Sequence, residues 1–278
     1  MTTATAVPAM LLAAGRGERM RPLTDTTPKP LLQVQGKPLM QWPLEALARA
    51  GCPRVLINTA WLGEQIAATF GSHFGIQPAS DMREPLSKQE HVSPGMALQY
   101  SHEGRDFGGA LETAGGIARA LPTLCPGAAR GHGHDVFWVL AGDVFAPDFA
   151  FEAAAVQRFV ASTALAHIWL VPNPAHNPKG DFGWDSVTGL AQNLHATSSA
   201  PRCTYSTIGL FRAALFAPPW CHIPHGNPHG EKAALAPLLR AAMDAGRVTA
   251  SLYQGRWTDV GTPERLAQLN TPAGIPTP

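Results

Sequence analysis

The stretch that decides the fold reads Ala9-Met10-Leu11-Leu12-Ala13-Ala14-Gly15-Arg16-Gly17-Glu18-Arg19-Met20-Arg21-Pro22-Leu23-Thr24. Its apolar beginning is typical of a buried strand, which delivers the chain into a loop with two glycines. Glycines after a strand allow backbone N–H groups to turn toward a phosphate, and Arg19 and the nearby Lys29 supply positive charge. The stretch therefore predicts a cradle for a triphosphate.

Two other glycine loops do not match this stretch. A dinucleotide-binding loop needs a third glycine where Met20 stands, and a Walker loop needs Gly-Lys-Ser/Thr after four intervening residues. The remaining alternative is an ordinary turn with solvated arginines. The number of cations around Gly15 and Gly17 favours the cradle.

Strands and helices alternate on the carboxyl side of this loop. Apolar residues recur at helical spacing from Met40 to Ala48, and Val55-Leu56-Ile57-Asn58 has the pattern of the next buried strand. The alternation continues with helices near 63–70, 113–121, 148–160 and 232–245 and strands near 97–101, 136–140 and 165–171. We therefore expect an α/β protein with a doubly wound, mostly parallel sheet flanked by helices.

No linker divides the chain, so residues 1–278 are predicted to form one domain. Stretches that interrupt the strand and helix pattern predict insertions near 77–96 and 217–229. The tail 271–278 is expected to fray, as chain ends do when nothing holds them.

The composition excludes several classes of protein. Of 278 residues, 45% are hydrophobic and 15% are charged, and the 21 Lys and Arg nearly cancel the 20 Asp and Glu. Such a chain can bury a core, but it lacks the excess positive charge of a nucleic-acid-binding surface. Its strongest apolar run, 9–14, is far shorter than the roughly 20 residues that span a membrane. The predicted partners are small anions, not nucleic acid or a membrane.

The location is predicted to be cytoplasmic. The N-terminus has no basic segment of the kind that begins a secretion signal. Cys52, Cys125, Cys203 and Cys221 are scattered without a paired motif, which is typical of reduced thiols.

Two aspartates are candidate ligands for Mg²⁺. Asp143 follows the apolar run 136–140, and Asp259 lies in the segment Trp257-Thr258-Asp259-Val260-Gly261-Thr262-Pro263. Mg²⁺ prefers a few carboxylates together with phosphate oxygens and water. The alternatives are a turn residue for Asp143 and a helix cap for Asp259.

The run from Leu12 to Pro30 resembles the signature of the sugar-1-phosphate nucleotidyltransferases, and the segments around Asp143 and Asp259 resemble that family's metal-binding motifs. The resemblance implies a Rossmann-like nucleotidyltransferase fold with Mg²⁺ bound by the two aspartates. It implies catalytic roles for Arg19 at the phosphates, Lys29 where the two substrates' phosphates meet, and Asp143. The implied nucleotide contacts are Leu12, Ala13, Ala14, Gly15, Gly17, Glu18, Arg19 and Lys29.

Finer features resemble the N-acetylmuramate α-1-phosphate uridylyltransferases of bacterial cell-wall recycling. These features lie in the segments 57–66, 112–117, 180–182 and 235–240. The resemblance implies that UTP and N-acetylmuramate α-1-phosphate give UDP-N-acetylmuramate and pyrophosphate. It places Glu112, Gly115 and Gly116 beside the base and ribose, and Asp181 at the sugar hydroxyls, while Lys232 is a candidate contact for the sugar phosphate.

Other functions remain open at the level of sequence. The enzymatic alternatives are mannose-1-phosphate guanylyltransferase and glucose-1-phosphate thymidylyltransferase, which would use the same site for another base and sugar. A non-catalytic nucleotide-sugar sensor of the same fold is a further alternative, although the presence of Arg19, Lys29, Asp143 and Asp259 argues against it. A nicotinamide-binding dehydrogenase is a third, which a titration showing no binding of the nicotinamide cofactor would exclude. The sequence does not predict an oligomeric state.

Overall fold

A computed structural model describes residues 6–75, 95–127 and 135–271. Its strands are β1 (Ala9–Ala13), β2 (Gln33–Val34), β3 (Lys37–Pro38), β4 (Arg54–Thr59), β5 (His73–Phe74), β6 (Met96–His102), β7 (Val136–Ala141), β8 (Val144–Phe145), β9 (Ala166–Val171), β10 (Gly183–Trp184), β11 (Ala191–Gln192), β12 (Thr204–Arg212), β13 (Val248–Leu252) and β14 (Thr258–Asp259). Its helices are α1 (Gln41–Arg49), α2 (Gly63–Phe70), α3 (Glu103–Phe107), α4 (Glu112–Leu124), α5 (Ala153–Ala161), α6 (Leu235–Asp244) and α7 (Pro263–Asn270). Nearly all of the predicted insertion 77–96 and of the tail 271–278 lies outside the described residues.

Eight strands form the central sheet in the order β13-β9-β12-β7-β1-β4-β6-β5. Strand β1 pairs in parallel with β4 and β7, and the pairs β4 with β6 and β13 with β9 are also parallel. Strand β12 is antiparallel to β7 and β9, and β5 is antiparallel to β6. The predicted mostly parallel sheet flanked by helices is confirmed.

The sheet is buried on both faces, as a doubly wound arrangement requires. Along β7, Phe137 and Val139 join one hydrophobic cluster, whereas Trp138 and Leu140 join the cluster on the opposite face. All four side chains are at most 3% exposed. Because successive strand residues point to opposite faces, this strand is held from both sides. Its carboxyl end is therefore a rigid place for a functional residue.

The last long helix begins later than its sequence pattern indicates. The prediction places a helix over 232–245, but α6 begins at Leu235. The backbone just before it pairs with the start of α4: the carbonyl of Ala233 accepts from the N–H groups of Ala114 and Gly115. That pairing keeps the segment extended. In the described part of the chain, no helix is long and apolar enough to cross a membrane.

The predicted insertion 217–229 packs against α4. Cys221 and Ile223 form a small hydrophobic cluster with Ala118 of that helix. The fully buried Asn227 donates hydrogen bonds from Nδ2 to the carbonyls of Gly115 and Glu231, at 3.1 and 2.8 Å. The insertion therefore joins α4 to the segment that leads into α6.

Candidate active site

A cleft of about 570 Å³ opens at the carboxyl ends of β1, β4 and β7. In the sheet β1 lies between the other two, and the chain passes from β1 first to β4 on one side and later to β7 on the other. Ligands of open α/β sheets bind at such a reversal of strand order. The cleft wall includes residues 12–15, Lys29, Asp143 and Glu112. Most of its surface is apolar, which is typical of a small-molecule site with a few placed polar groups.

The loop after β1 holds Arg16 and Arg21 in ion pairs with Asp25 and leaves Arg19 available. Arg16 lies with its guanidinium carbon 3.8 Å from the centre of the Trp61 ring and donates to Asp25 and to the carbonyl of Thr24. Trp61 also donates to that carbonyl, at 2.9 Å. Arg19, in contrast, is exposed and makes no hydrogen bond or ion pair with any described residue. Arg19 is thus the arginine of this loop that can turn toward an added phosphate.

Backbone geometry explains one of the two loop glycines. Gly17 has φ +70°, a left-handed conformation that glycine adopts without strain, and its carbonyl accepts from the Thr24 hydroxyl at 2.8 Å. The predicted nucleotide contacts 12–15 lie on the cleft wall. Gly17, Glu18 and Arg19 lie farther along the loop, outside that wall.

A buried polar relay, which was not expected from the sequence, fixes the base of the cleft. The side-chain oxygen of Asn58 accepts from the backbone N–H of Ala13, and its Nδ2 donates to Oε1 of Glu103, both at 2.8 Å. The other oxygen of Glu103 accepts from the N–H of Leu111 at 2.8 Å. Glu103 is fully buried, and burial raises the pKa of its carboxyl group above the ordinary value. The relay connects the phosphate loop to the residue before α4.

The structure brings together three of the predicted catalytic and metal-binding residues. Lys29 donates from Nζ to Oδ2 of Asp143, and the lysine side chain is only 11% exposed. Strand β14 pairs with β8 so that Asp259 lies opposite Val144, the residue after Asp143. The N–H of Val260 also donates to the carbonyl of Asp143, at 2.9 Å. Residues more than 100 positions apart thereby meet at one edge of the cleft.

A guanidinium group holds Asp259. Nη1 of Arg265 donates to Oδ1 of Asp259 at 2.5 Å and to its backbone carbonyl at 3.0 Å. Nε2 of His176 lies 2.7 Å from the same Oδ1. Neither partner was expected from the sequence, although Arg265 follows the segment 257–263 by two residues.

The two aspartates have the chemistry of an Mg²⁺ site that substrate completes. Oδ1 of Asp143 and Oδ2 of Asp259 make no hydrogen bond to any described residue, and both side chains are partly exposed. No cluster of three or more His, Cys, Asp or Glu suited to a metal occurs among the residues described. Two carboxylates with phosphate oxygens and water match the preference of Mg²⁺ for an incomplete protein shell. The residues therefore fit the ion.

The start of α4 contributes one predicted contact to the cleft wall and places two others behind it. Glu112 is exposed, lines the cleft and has φ +59°, an unusual conformation for a residue other than glycine. Gly115 and Gly116 are buried. A Cβ at Gly115 would overlap the backbone carbonyl of Glu231, and one at Gly116 would lie 2.7 Å from Glu103 Oε1, so neither position has room for a side chain. Both glycines thus have a packing role in this structure.

The predicted sugar contacts lie beside the cleft. Asp181 accepts from the N–H of Tyr205 at 2.8 Å and from Asn177 at 3.2 Å, so its carboxylate supports β12. It faces a second pocket, whereas its neighbour Phe182 lines the cleft. Lys232 is exposed two residues before Ala234, which lines the cleft. Their roles toward a sugar stay predictions.

Strand β12 supplies cleft residues that were not expected from the sequence. Tyr205 and Thr207 line the cleft, and the register of β12 on β9 shifts between Tyr205 and Gly209. Thr207 has φ +65°, which is a true outlier for a β-branched side chain. Strain of this kind concentrates at functional sites. A run of strand-forming residues gives no sequence signal for such a bulge.

With this geometry established, comparison with known proteins identifies the class. The family model for nucleotidyl transferases matches residues 8–186. The chain belongs to the nucleotidyl transferase family.

Among curated relatives, an N-acetylmuramate α-1-phosphate uridylyltransferase of Neisseria meningitidis serogroup B is 41% identical over 271 residues. The alignment covers 96% of this chain and 98% of the relative. A mannose-1-phosphate guanylyltransferase catalytic subunit beta of Xenopus tropicalis is 26% identical over 257 residues, covering 92% of this chain and 61% of that protein. The first similarity extends over the whole site, including the Asp259 segment.

Solved structures show the same fold at low sequence identity. A Bacillus anthracis chain assigned as a glucose-1-phosphate thymidylyltransferase, crystallised with sucrose, has a TM-score of 0.65 at 20% identity and covers 95% of this chain and 94% of its own. The inositol-1-phosphate CTP transferase from T. maritima has a TM-score of 0.60 at 15% identity, covering 98% and 99%. At these identities the likeness establishes the fold alone.

Proposed function

We propose that this protein transfers the uridylyl group of UTP to N-acetylmuramate α-1-phosphate and releases pyrophosphate, as a step in bacterial cell-wall recycling. The observation that supports the reaction class is that Lys29, Asp143 and Asp259 meet at the edge of a cleft whose wall includes residues 12–15, where the loop after β1 begins. The choice of UTP and of the muramic sugar is supported by the Neisseria relative, which aligns over nearly the full length of both chains.

The reaction is an in-line displacement at the α-phosphorus of the nucleotide. An oxygen of the sugar phosphate forms the new bond, the bond to the bridging oxygen of pyrophosphate breaks, and that oxygen keeps the electron pair. Positioning and charge neutralisation supply most of the catalysis in such transfers, so no covalent intermediate with the protein is needed.

Lys29 is the cation placed for this displacement. Its ammonium group is mostly desolvated, lines the cleft and lies next to the loop that would hold the triphosphate. We assign Lys29 the role of stabilising the negative charge that develops around the α-phosphate, where a low-dielectric environment strengthens the interaction. Arg19 would close over the departing pyrophosphate, since its guanidinium is exposed and uncommitted among the described residues.

Asp143 and Asp259 would hold Mg²⁺ through the oxygens that make no protein hydrogen bond. When bound, the ion would neutralise the phosphates of the two substrates, which otherwise repel each other. In the structure Asp143 is paired with Lys29. Lys29 occupies Oδ2 of that carboxylate, so Oδ1 is the oxygen that would hold the ion.

The sugar end of the cleft is formed by Phe182, Tyr205 and the segment 234–236. The Tyr205 hydroxyl makes no hydrogen bond to a described residue, and burial raises the pKa of this phenol above its ordinary value, so it is a neutral donor at physiological pH. We assign it to a sugar hydroxyl or amide. The apolar wall beside it suits the faces of the sugar ring.

A cytoplasmic location is part of this proposal. The four cysteines are free, and burial raises the pKa of the Cys52 and Cys125 thiols to about 12, which keeps them uncharged. Such cysteines are typical of a reducing compartment, where UTP is also available.

A pyrophosphate-release screen tests the proposal. UTP, dTTP, GTP and CTP are each combined with N-acetylmuramate α-1-phosphate, glucose 1-phosphate and mannose 1-phosphate in the presence of Mg²⁺. The expected result is the highest kcat/KM for UTP with the muramic substrate, and background rates for Asp143→Asn. Equal or better turnover of another pair would overturn the substrate assignment, and no release from any pair would overturn the activity.

A further inference from the structure

We infer that Arg265 is a positioning residue for the metal-binding carboxylate of Asp259, an inference that rests on the metal role proposed for that aspartate. A single nitrogen of Arg265, Nη1, donates hydrogen bonds to both the carboxylate and the backbone carbonyl of Asp259. Its own side chain is only 13% exposed, so the guanidinium is held in place. Because Oδ1 is occupied, Oδ2 is the oxygen left for a cation.

The residues between Asp259 and Arg265 are arranged to make this contact. A Cβ at Gly261 would overlap Nη2 of Arg265, so glycine leaves the space that the guanidinium occupies. Thr262 caps α7 by accepting from the N–H of Arg265, and Pro263 occupies the first helical turn, where it is favoured. The cap fixes where α7 begins and therefore where Arg265 projects.

The same carboxylate oxygen is contacted from a second direction. His176 approaches Oδ1 of Asp259 and lies 3.0 Å from Nη1 of Arg265. Contacts from two elements orient a carboxylate more strictly than one contact does. Partners that orient a metal ligand in this way typically contribute about 10- to 100-fold to metal affinity.

The loss of Arg265 should change metal affinity in one direction if the residue acts through its charge, and in the other if it orients Asp259. The guanidinium is a cation beside a cation site, so its removal should tighten metal binding if electrostatic repulsion were its only effect. If Arg265 orients Asp259, its removal should weaken metal binding instead. The sign of the change in affinity therefore decides between the two.

The experiment measures Mn²⁺ binding to the full-length enzyme by water-proton relaxation, which rises when the ion is immobilised on protein. UTP is held at a saturating concentration, sugar phosphate is omitted, and an enzyme-free titration is subtracted. We expect Arg265→Gln to weaken Mn²⁺ binding by about 10- to 100-fold. In turnover assays, raising Mg²⁺ should restore most of kcat, whereas Arg265→Lys should lie between wild type and Arg265→Gln. Unchanged or tighter Mn²⁺ binding in Arg265→Gln would overturn the inference.

Gly261→Ala tests the contact without removing any charge. Its Cβ should displace the guanidinium and weaken Mn²⁺ binding in the same direction as Arg265→Gln. The Cβ would also lie 3.1 Å from Oδ2 of Asp259. The double variant separates the two effects: a change at Gly261 that acts through Arg265 adds little when Arg265 is already absent. If the losses of Mn²⁺ affinity in the two single variants added fully in the double variant, Gly261 would not act through its contact with Arg265.

Two controls distinguish failure of this inference from failure of the proposed metal site. Arg256 precedes Asp259 by three residues but pairs with Asp148, at 2.7 Å, on the surface. Arg256→Gln should therefore leave Mn²⁺ affinity unchanged. Asp259→Asn should nearly abolish the site. If it does and Arg265→Gln has no effect, only the positioning role fails. If Asp259→Asn itself has no effect, the proposed metal role of Asp259 fails.

Discussion

The buried relay of Ala13, Asn58 and Glu103 gives a prediction whose size follows from the structure. Asn58→Asp keeps the side-chain oxygen that accepts from Ala13 but replaces the NH₂ group that donates to Glu103. A carboxylate would then lie 2.8 Å from a buried carboxylate. One of the two groups must take up a proton, or both charges must repel each other in the core.

The outcome with the lower free-energy cost determines how much stability is lost. Two unit charges at 2.8 Å repel by about 6 kcal/mol at an effective dielectric constant of about 20. Protonating a glutamate carboxyl group of ordinary pKa costs about 5 kcal/mol at pH 8 and about 1 kcal/mol at pH 5, and a raised pKa makes the cost smaller. Since burial already raises the pKa of Glu103, protonation is the cheaper outcome. We expect Asn58→Asp to be strongly destabilised at pH 8 and largely rescued at pH 5.

Urea unfolding of wild type and Asn58→Asp at both pH values measures this difference. Asn193→Asp is the matched control, because Asn193 also donates to a carboxylate, that of Asp244, but at a partly exposed position where Arg240 lies beside the side-chain oxygen. The control should lose less than about 1 kcal/mol at either pH. A loss of equal size at pH 5 and pH 8 in Asn58→Asp would refute the relay as described.

Three further predictions concern pH, strain and the phosphate loop. Burial, and to a lesser degree the charge of Arg158, lowers the pKa of His167 to about 4, so the stability that its neutral form contributes is complete above pH 6.5 and is lost as the pH falls toward 4. In urea unfolding, wild type should lose up to about 3 kcal/mol more than His167→Gln between pH 7.5 and pH 4.5, and equal losses would contradict this pKa. Thr207→Gly should relieve the left-handed strain and raise the unfolding free energy by about 1 kcal/mol while raising KM for the sugar phosphate; a less stable variant would show that the conformation is not strained. Arg19→Gln should lower kcat/KM for UTP about 10²-fold with unchanged thermal stability, and normal kinetics would remove Arg19 from the pyrophosphate site.

The sequence could predict the parts of the molecule that depend on local pattern. The apolar run 9–13 and its loop, and the strand that precedes Asp143, are continuous segments whose periodicity and position indicate strands that end at one edge of a sheet. That edge brings Lys29 and Asp143 together. The helix predicted from 232 begins at Leu235 because a backbone pairing with α4 overrides the local helical pattern.

Contacts between distant residues without a motif could not be predicted. Asn58 and Glu103 are 45 positions apart, and neither residue type stands out in its own segment.

The direction in which a side chain points could not be predicted from the sequence either. Asp181 lies next to a cleft residue in sequence but points to the other side, because successive residues of an extended segment face opposite ways. The resemblance implies that Gly115 and Gly116 lie beside the base and ribose. In the structure a Cβ at either position would overlap protein atoms, which accounts for both glycines by packing, and their contact with a ligand stays a prediction.

The most direct test of the central claim is the turnover of UTP and N-acetylmuramate α-1-phosphate by Lys29→Met at saturating substrates and Mg²⁺. Lys29 is the mostly buried cation that lies between the loop and Asp143, so kcat should fall by about 10²- to 10³-fold. Lys37→Met is the control, since Lys37 also forms an ion pair, at 2.6 Å to Glu45, but lies outside the cleft; its kcat should match that of wild type. A Lys29→Met enzyme with near-wild-type kcat would contradict the assignment of this cleft as the site of nucleotidyl transfer.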